Sequence, residues 1–122
     1  CIRPGLTADQ ILNDASNIMA DFIKKHSFSK EVYRKAAERT LKFRGHLSHP
    51  VGMSVHDVGD YKSAPLKPGI VFSVDPQMWV PEERLYVRVE DTIVVTNNGI
   101  EVLTDSAPLD PDDIESTMHA RS

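Results

Sequence analysis

Residues 45–59 read GHLSHPVGMSVHDVG, and the chain changes character at this segment, from helical periodicity before it to short extended pieces after it. The segment holds three of the five histidines, His46, His49 and His56, between two glycines. Imidazole is a common neutral metal ligand and exchanges protons near neutral pH. One histidine in such a loop is most often an ordinary surface residue. Three together predict a site with metal or proton chemistry.

Two helices are predicted before this segment. Thr7 and Gln10 have the spacing of a capping box, in which each side chain satisfies the backbone N–H of the other residue. Apolar residues then recur at helical spacing as far as Ile23, and Ser29 can cap a second helix that ends near Leu41. Each helix has one apolar face, so we expect the two helices to pack on the same layer.

Short strands are predicted after the segment, because glycine and proline recur too often for a helix. Residues 70–74 form an apolar run that ends at Asp75, which places this carboxylate at a strand end. Residues 85–95 alternate between apolar and polar side chains, with Arg88 and Glu90 on the polar face. As an ordinary exposed ion pair these two residues would contribute about 0–1 kcal/mol.

A hairpin and a terminal helix complete the predicted elements. Asn98-Gly99 separates residues 92–96 from residues 100–103 and is a strong two-residue hairpin signal. A short helix is expected at about residues 112–119. These elements predict a single α+β domain.

Composition restricts the class of protein and its partners. The 122 residues suffice for one domain, with 40% hydrophobic and 26% charged residues and no apolar run long enough for a membrane span. A net charge of −4 without a basic cluster argues against nucleic acid as a partner. The single cysteine, Cys1, excludes an intrachain disulfide and is typical of a reducing compartment, so we expect a cytoplasmic protein. The absence of an initial Met predicts a processed or excised part of a longer chain.

The candidate ligands are the imidazole of His49 and the carboxylates of Asp75 and Glu90. These hard-to-borderline donors suit Mn²⁺, Co²⁺, Fe²⁺ or Zn²⁺. Pro50 favours an extended backbone at His49, and an odd separation puts His56 on the opposite face of a flat strand. The chain must therefore bend between the two histidines if both serve one site.

The ordered motifs resemble the C-terminal half of the pita-bread metallopeptidases. They are HPVG at residues 49–52, VHDVG at 55–59, LKPGIVFSVDP at 66–76 and RVEDT at 88–92, and IRPGLT at 2–7 extends the resemblance. The sequence His-Asp-Val-Gly is similar to the motif of Xaa-Pro aminopeptidases and Xaa-Pro dipeptidases and unlike that of methionine aminopeptidases. The resemblance implies half of a pita-bread fold, with two N-terminal helices packed on an antiparallel, curved β-sheet.

The resemblance also implies a role for each matching residue. His49 matches the family's metal-ligand histidine, Glu90 its metal-bridging glutamate, and Asp75 lies where the family has its first glutamate ligand. His56 matches a histidine that contacts the substrate and stabilises the tetrahedral intermediate. Arg88 matches an arginine that supports the bridging carboxylate.

The implied reaction is hydrolysis of the bond preceding proline in Xaa-Pro peptides. In the family, hydroxide bound to two divalent metal ions (Mn, Co or Zn) attacks the carbonyl carbon, and the acidic residue at the position of Asp75 shuttles the proton. The implied catalytic residues are therefore His56, Asp75 and Arg88. His46 resembles an upstream substrate-binding histidine, although its spacing to His49 is one residue shorter than in the family.

Two departures from the family pattern keep other functions open. Asp75 is one methylene shorter than glutamate, and no segment matches the two aspartate ligands that the family takes from an earlier strand pair. We therefore expect residues 1–122 to be the C-terminal half of a catalytic domain, inactive without the missing N-terminal half. The alternatives are a metal-free module that binds peptides or proteins, and a half-domain with structural histidines. An incomplete core also predicts exposed apolar surface and a homo-oligomer.

Overall fold

The computed structural model describes residues 1–119, so the last three residues of the predicted domain lie outside the described part. The elements in chain order are α1 (Ala8–Lys25), α2 (Glu31–Thr40), β1 (Leu47–Pro50), β2 (Val71–Val74), β3 (Gln77–Val80), a 3₁₀ turn (Pro81–Glu83), β4 (Leu85–Arg88), β5 (Asp91–Val95), β6 (Ile100–Val102) and α3 (Pro111–His119).

The start of α1 follows the sequence prediction and the start of α2 does not. The Thr7 hydroxyl accepts a hydrogen bond from the Gln10 N–H at 3.3 Å, and Gln10 Oε1 accepts one from the Thr7 N–H at 2.9 Å. The predicted Ser29 cap is wrong, because Lys30 occupies the cap position and makes no side-chain capping bond in the described structure. Lys30 instead donates to Glu83 at 2.6 Å, which ties the start of α2 to the 3₁₀ turn.

The strands form two antiparallel sheets. One has the order β1-β2-β5-β6, and the other is the β3–β4 hairpin. Residues 85–95 are thus two strands rather than one, and the break falls at Val89, whose N–H donates to the Pro76 carbonyl at 3.2 Å. A hairpin joins β5 and β6 at the place that Asn98-Gly99 predicted, with Val95 paired to Ile100. Its turn is centred one residue earlier, on Asn97-Asn98, because the Thr96 N–H donates to the Gly99 carbonyl at 2.9 Å, and neither Asn98 nor Gly99 has a positive φ.

Each N-terminal helix packs against a different sheet. Ile11 of α1 lies in one buried cluster with Phe72 and Ile93 of the four-stranded sheet. The second helix packs against β3 of the hairpin and also contacts α1. The two helices therefore form one layer, and they hold the two sheets side by side. Within residues 1–119, no helix is both long and apolar enough to span a membrane.

One apolar surface stays open between α1, α2 and the hairpin. We call it the apolar groove; it has a volume of about 550 Å³, and its lining includes Ile18, Phe22, Met78 and Val87. Ile18 and Phe22 are 63% and 65% exposed, although both lie on the apolar face of α1. The expected exposed apolar surface is therefore present.

Candidate metal site

His49 and Glu90 form the centre of the candidate site. His49 Nδ1 lies 3.1 Å from the Pro50 carbonyl oxygen, and its Nε2 lies 3.2 Å from Glu90 Oε1. A carbonyl only accepts, so Nδ1 carries the proton, and in the neutral ring Nε2 presents its lone pair. That lone pair then faces a carboxylate oxygen, which is also an acceptor. Two acceptors in this arrangement need a cation or a proton between them.

The chain bends between His49 and His56, as the sequence predicted. The two rings stack with centroids 3.9 Å apart and an angle of 18°. The Pro50 carbonyl, which already accepts from His49, also accepts from the Asp57 N–H at 3.1 Å. His56 is thereby held over His49 while its own side chain stays exposed.

The loop that carries His56 is closed by the Asp57 carboxylate. It accepts hydrogen bonds from the N–H groups of Val58 at 2.7 Å and Ser54 at 3.4 Å, and these bonds lower the pKa of Asp57. A Cβ atom at residue 52 would lie 2.2 Å from Asp57 Oδ2, so a larger residue there would displace the Asp57 carboxylate from its hydrogen bonds. The HPVG and VHDVG motifs thus depend on each other structurally.

Glu90 is held by two further residues. The Ser73 hydroxyl donates to its Oε1 at 2.6 Å, and an Arg88 guanidinium nitrogen donates to its Oε2 at 2.8 Å. The Ser73 hydrogen bond makes the largest contribution to lowering the pKa of Glu90, followed by the positive charge of Arg88. Sequence reasoning missed Ser73, although a polar residue within an apolar strand, two positions before Asp75, was a usable signal.

Asp75 directly follows β2 and is 1% exposed. Its Oδ2 accepts from Gln77 Nε2 at 2.8 Å, and its N–H donates to the His46 carbonyl at 2.7 Å. Arg88 Nε lies 2.8 Å from Asp75 Oδ1, which makes an ion pair by distance without hydrogen-bond geometry. Oδ1 is thus a buried carboxylate oxygen with no hydrogen-bond donor among the described residues.

Arg88 connects the two carboxylates, since it contacts both Asp75 and Glu90. Loss of hydration lowers the pKa of Arg88, but the negative charges of Asp75 and Glu90 outweigh this effect and the pKa is raised. A permanently charged guanidinium therefore balances two acidic groups at one edge of the site.

His46 faces a different direction from the other two histidines. Its Nε2 lies 3.0 Å from the Thr40 carbonyl oxygen at the end of α2, and its ring contacts the edge of Phe43. Nδ1 is buried and has no hydrogen-bond partner within residues 1–119. The observed link from His46 to the site is its backbone carbonyl, which holds the N–H of Asp75.

The donor chemistry fits a divalent cation, but the described residues supply only part of a coordination sphere. His49 Nε2 and Glu90 Oε1 lie 3.2 Å apart and need a proton or a cation between them, and Asp75 Oδ1 has a charged neighbour in Arg88 but no hydrogen-bond donor among residues 1–119. However, no group of three His, Cys, Asp or Glu residues within 1–119 is arranged to hold an ion by itself. Arg88 occupies the space where Asp75 and Glu90 meet.

The sequence and fold of this chain match known proteins. The pattern of metallopeptidase family M24 covers residues 1–97. The chain belongs to this family. It is 35% identical over 133 residues to the Xaa-Pro aminopeptidase of Escherichia coli (strain K12), an alignment that covers 97% of this chain and 30% of the relative.

Solved structures of aminopeptidase P show the same fold. A putative aminopeptidase P from Bacillus anthracis matches with a TM-score of 0.72 and 31% identity, covering 98% of this chain and 27% of that one. Zn-substituted aminopeptidase P of E. coli in complex with product matches with a TM-score of 0.65 and 30% identity over 99% of this chain and 31% of that one. The predicted α+β, half-pita-bread fold is confirmed. The chain spans less than a third of the length of these relatives.

Proposed function

We propose that this chain contributes one wall of the active site of a metal-dependent exopeptidase that hydrolyses the bond preceding proline in Xaa-Pro peptides. His49, Asp75 and Glu90 would hold divalent cations together with ligands from an N-terminal half of the catalytic domain. The 122 residues alone would be inactive, because the described residues do not complete a coordination sphere. Family membership supports the peptidase class, and the substrate and the partial site are our proposal.

The observation that carries the proposal is the pair of facing acceptors, His49 Nε2 and Glu90 Oε1, 3.2 Å apart. A metal-ligating histidine commonly donates its other N–H to a backbone carbonyl, which fixes the tautomer and directs the free lone pair. The Pro50 carbonyl occupies this position next to Nδ1. A protonated His49 would instead form an ion pair with Glu90, so uptake of a metal ion is what distinguishes the two arrangements.

The residues around this pair have separate tasks in the reaction. Divalent cations, when bound, polarise the substrate carbonyl and make water more acidic. Ser73 and Arg88 favour the ionised form of Glu90. The His56 ring, which is exposed and stacked on His49, would donate a hydrogen bond to the peptide. Asp75, which the resemblance assigns as the proton shuttle, would act beside the Arg88 guanidinium, 2.8 Å from its Oδ1.

Titration calorimetry with Mn²⁺ on the chain tests the ligand assignment. We expect binding by the unmodified chain and at least an about 10-fold loss of affinity in His49→Ala and in Glu90→Gln, since even outer partners of a metal site are worth that much. His119→Ala is the matched control, because it removes an exposed imidazole on α3. Absence of Mn²⁺ uptake by the unmodified chain, or equal affinity in all variants, contradicts the assignment.

Peptide hydrolysis tests the remainder of the proposal. We expect no cleavage of an Xaa-Pro peptide by the 122 residues with Mn²⁺, and cleavage by a form that includes the N-terminal half. Turnover by the 122 residues alone would disprove the incomplete-site interpretation.

A metal-free module that binds peptides or proteins remains the second candidate. It is favoured by Asp75 in place of the longer glutamate and by Arg88, which already neutralises Asp75 and Glu90. Peptide binding without Mn²⁺ uptake, and without turnover in any form, would support this function over the peptidase.

A further inference from the structure

The β3–β4 hairpin carries a hydrogen-bonded chain that ends on the carboxylate of Asp75. Gln77 and Arg88 are directly paired residues of the two strands, so both side chains stand on the same face of the hairpin. Gln77 lies 2.8 Å from one oxygen of Asp75 and Arg88 lies 2.8 Å from the other. One pair of facing residues in this two-stranded sheet thus contacts both oxygens of a buried carboxylate.

The orientation of the Gln77 amide follows from its two neighbours. A carboxylate oxygen only accepts, so the amide NH₂ group faces Asp75 and the amide oxygen faces away. On that side the Tyr86 hydroxyl donates to Gln77 Oε1 at 3.1 Å. The Tyr86 ring is in turn stacked on Trp79, with centroids 5.5 Å apart.

We infer that Gln77, held by Tyr86, is a positioning residue that fixes the orientation of the Asp75 carboxylate through Oδ2. The Gln77 amide occupies Oδ2, whereas the Arg88 contact to Oδ1 provides charge without a hydrogen bond. Gln77 thus restrains one oxygen by a hydrogen bond, and Arg88 lies beside the other. The inference rests on the proposed function in one respect, that the Asp75 carboxylate serves a metal ion.

An aspartate is shorter than a glutamate and has fewer rotatable bonds, so its reach depends on how its backbone and its carboxylate are held. The His46 carbonyl holds the backbone N–H of Asp75, and Gln77 holds the side chain. Gln77 is two residues from Asp75 and begins the next strand, so the support comes from the same chain segment as the ligand.

The first test measures the environment of the Asp75 carboxylate by NMR in the metal-free protein. The ¹³Cγ resonance of Asp75 is followed in the unmodified chain and in Gln77→Leu and Tyr86→Phe. We expect both variants to move this resonance, Gln77→Leu more than Tyr86→Phe. Tyr33→Phe is the matched control, because the Tyr33 hydroxyl also donates to a carboxylate oxygen, that of Glu83, at 2.7 Å. Tyr33 lies near the start of α2, whereas Gln77 contacts the end of this helix. An Asp75 resonance that is the same in all proteins overturns the inference.

The second test is Mn²⁺ titration calorimetry on the same proteins. We expect Gln77→Leu and Tyr86→Phe to weaken Mn²⁺ binding by about 10-fold or more, with less than additive losses in the double variant and no change in Tyr33→Phe. A retained affinity with a shifted Asp75 resonance overturns the role of Gln77 towards the metal and leaves the proposed function intact. If the unmodified chain binds no Mn²⁺ while the resonance moves, the positioning of the carboxylate holds and the proposed function fails.

Discussion

At the scale of single residues, the site depends on which atom of each side chain is already engaged. The Pro50 carbonyl engages His49 Nδ1, which directs Nε2 towards Glu90. Gln77 engages Asp75 Oδ2, and Arg88 lies 2.8 Å from Oδ1. The residue types His49, Asp75, Glu90 and Arg88 could be found from motif order. The atoms through which these residues are held could not be found from the sequence. Their partners are the backbone carbonyl of Pro50 and the side chain of Gln77, which lies in a strand that no pattern predicted.

Ser73→Ala is expected to destabilise the protein by about 1 kcal/mol, the usual net value of one hydrogen bond. This loss is smaller than the about 1.5–3 kcal/mol expected for a hydrogen bond to a charged group. The reason is that Glu90 is 36% exposed, so water can replace the lost donor. Urea unfolding at neutral pH measures the change in the free energy of unfolding. Ser106→Ala, in an exposed loop, serves as the control and should change it by less than about 0.5 kcal/mol. Equal stability of the two variants would show that the Ser73 contact contributes nothing.

At the scale of elements, helix periodicity and the presence of the β5–β6 hairpin were readable from sequence, and the exact turn and the strand boundaries were not. The alternation over residues 85–95 continues through Val89, so no local signal marks the point where β4 leaves one sheet and β5 enters the other. That point is set by the Pro76 carbonyl, which is distant in sequence and accepts from the Val89 N–H. Tertiary contacts of this kind are not encoded in a local pattern.

The two helix starts give a direct comparison. Thr7→Ala should reduce the free energy of unfolding by about 1 kcal/mol, because it removes a side-chain cap from α1. Ser29→Ala should change it by less than about 0.5 kcal/mol, because Ser29 lies outside the cap position of α2. Thermal unfolding of both variants measures the difference. A loss for Ser29→Ala as large as for Thr7→Ala would restore Ser29 as the cap.

At the scale of the whole molecule, the fold has a closed side and an open side. The closed side is the cluster around Phe72, where α1 meets the four-stranded sheet. The open side is the apolar groove. Contiguous exposed apolar surface of this kind is typical of an interaction site. Sequence reasoning predicted such a surface from the incomplete fold, but its place between α1 and the hairpin required the structure.

Self-association through the apolar groove is therefore expected. Sedimentation velocity over a range of concentrations should show oligomers of the unmodified chain, and Ile18→Lys should shift them towards monomer by placing a charge in the groove. Asn17→Lys adds the same charge at the neighbouring exposed position of α1 and should have little effect. A compact monomer of the unmodified chain at every concentration would exclude this prediction.

The Pro50 carbonyl anchors the base of the loop that carries His56, whereas the tip of this loop is exposed to solvent. Both anchors, to the His49 ring and to the Asp57 N–H, converge on one oxygen atom, while Met53 at the loop tip is fully exposed. The side chain at residue 53 can therefore change without moving either histidine of the stacked pair. A change at residue 53 would alter the surface beside the stacked histidines and leave their anchoring as it is.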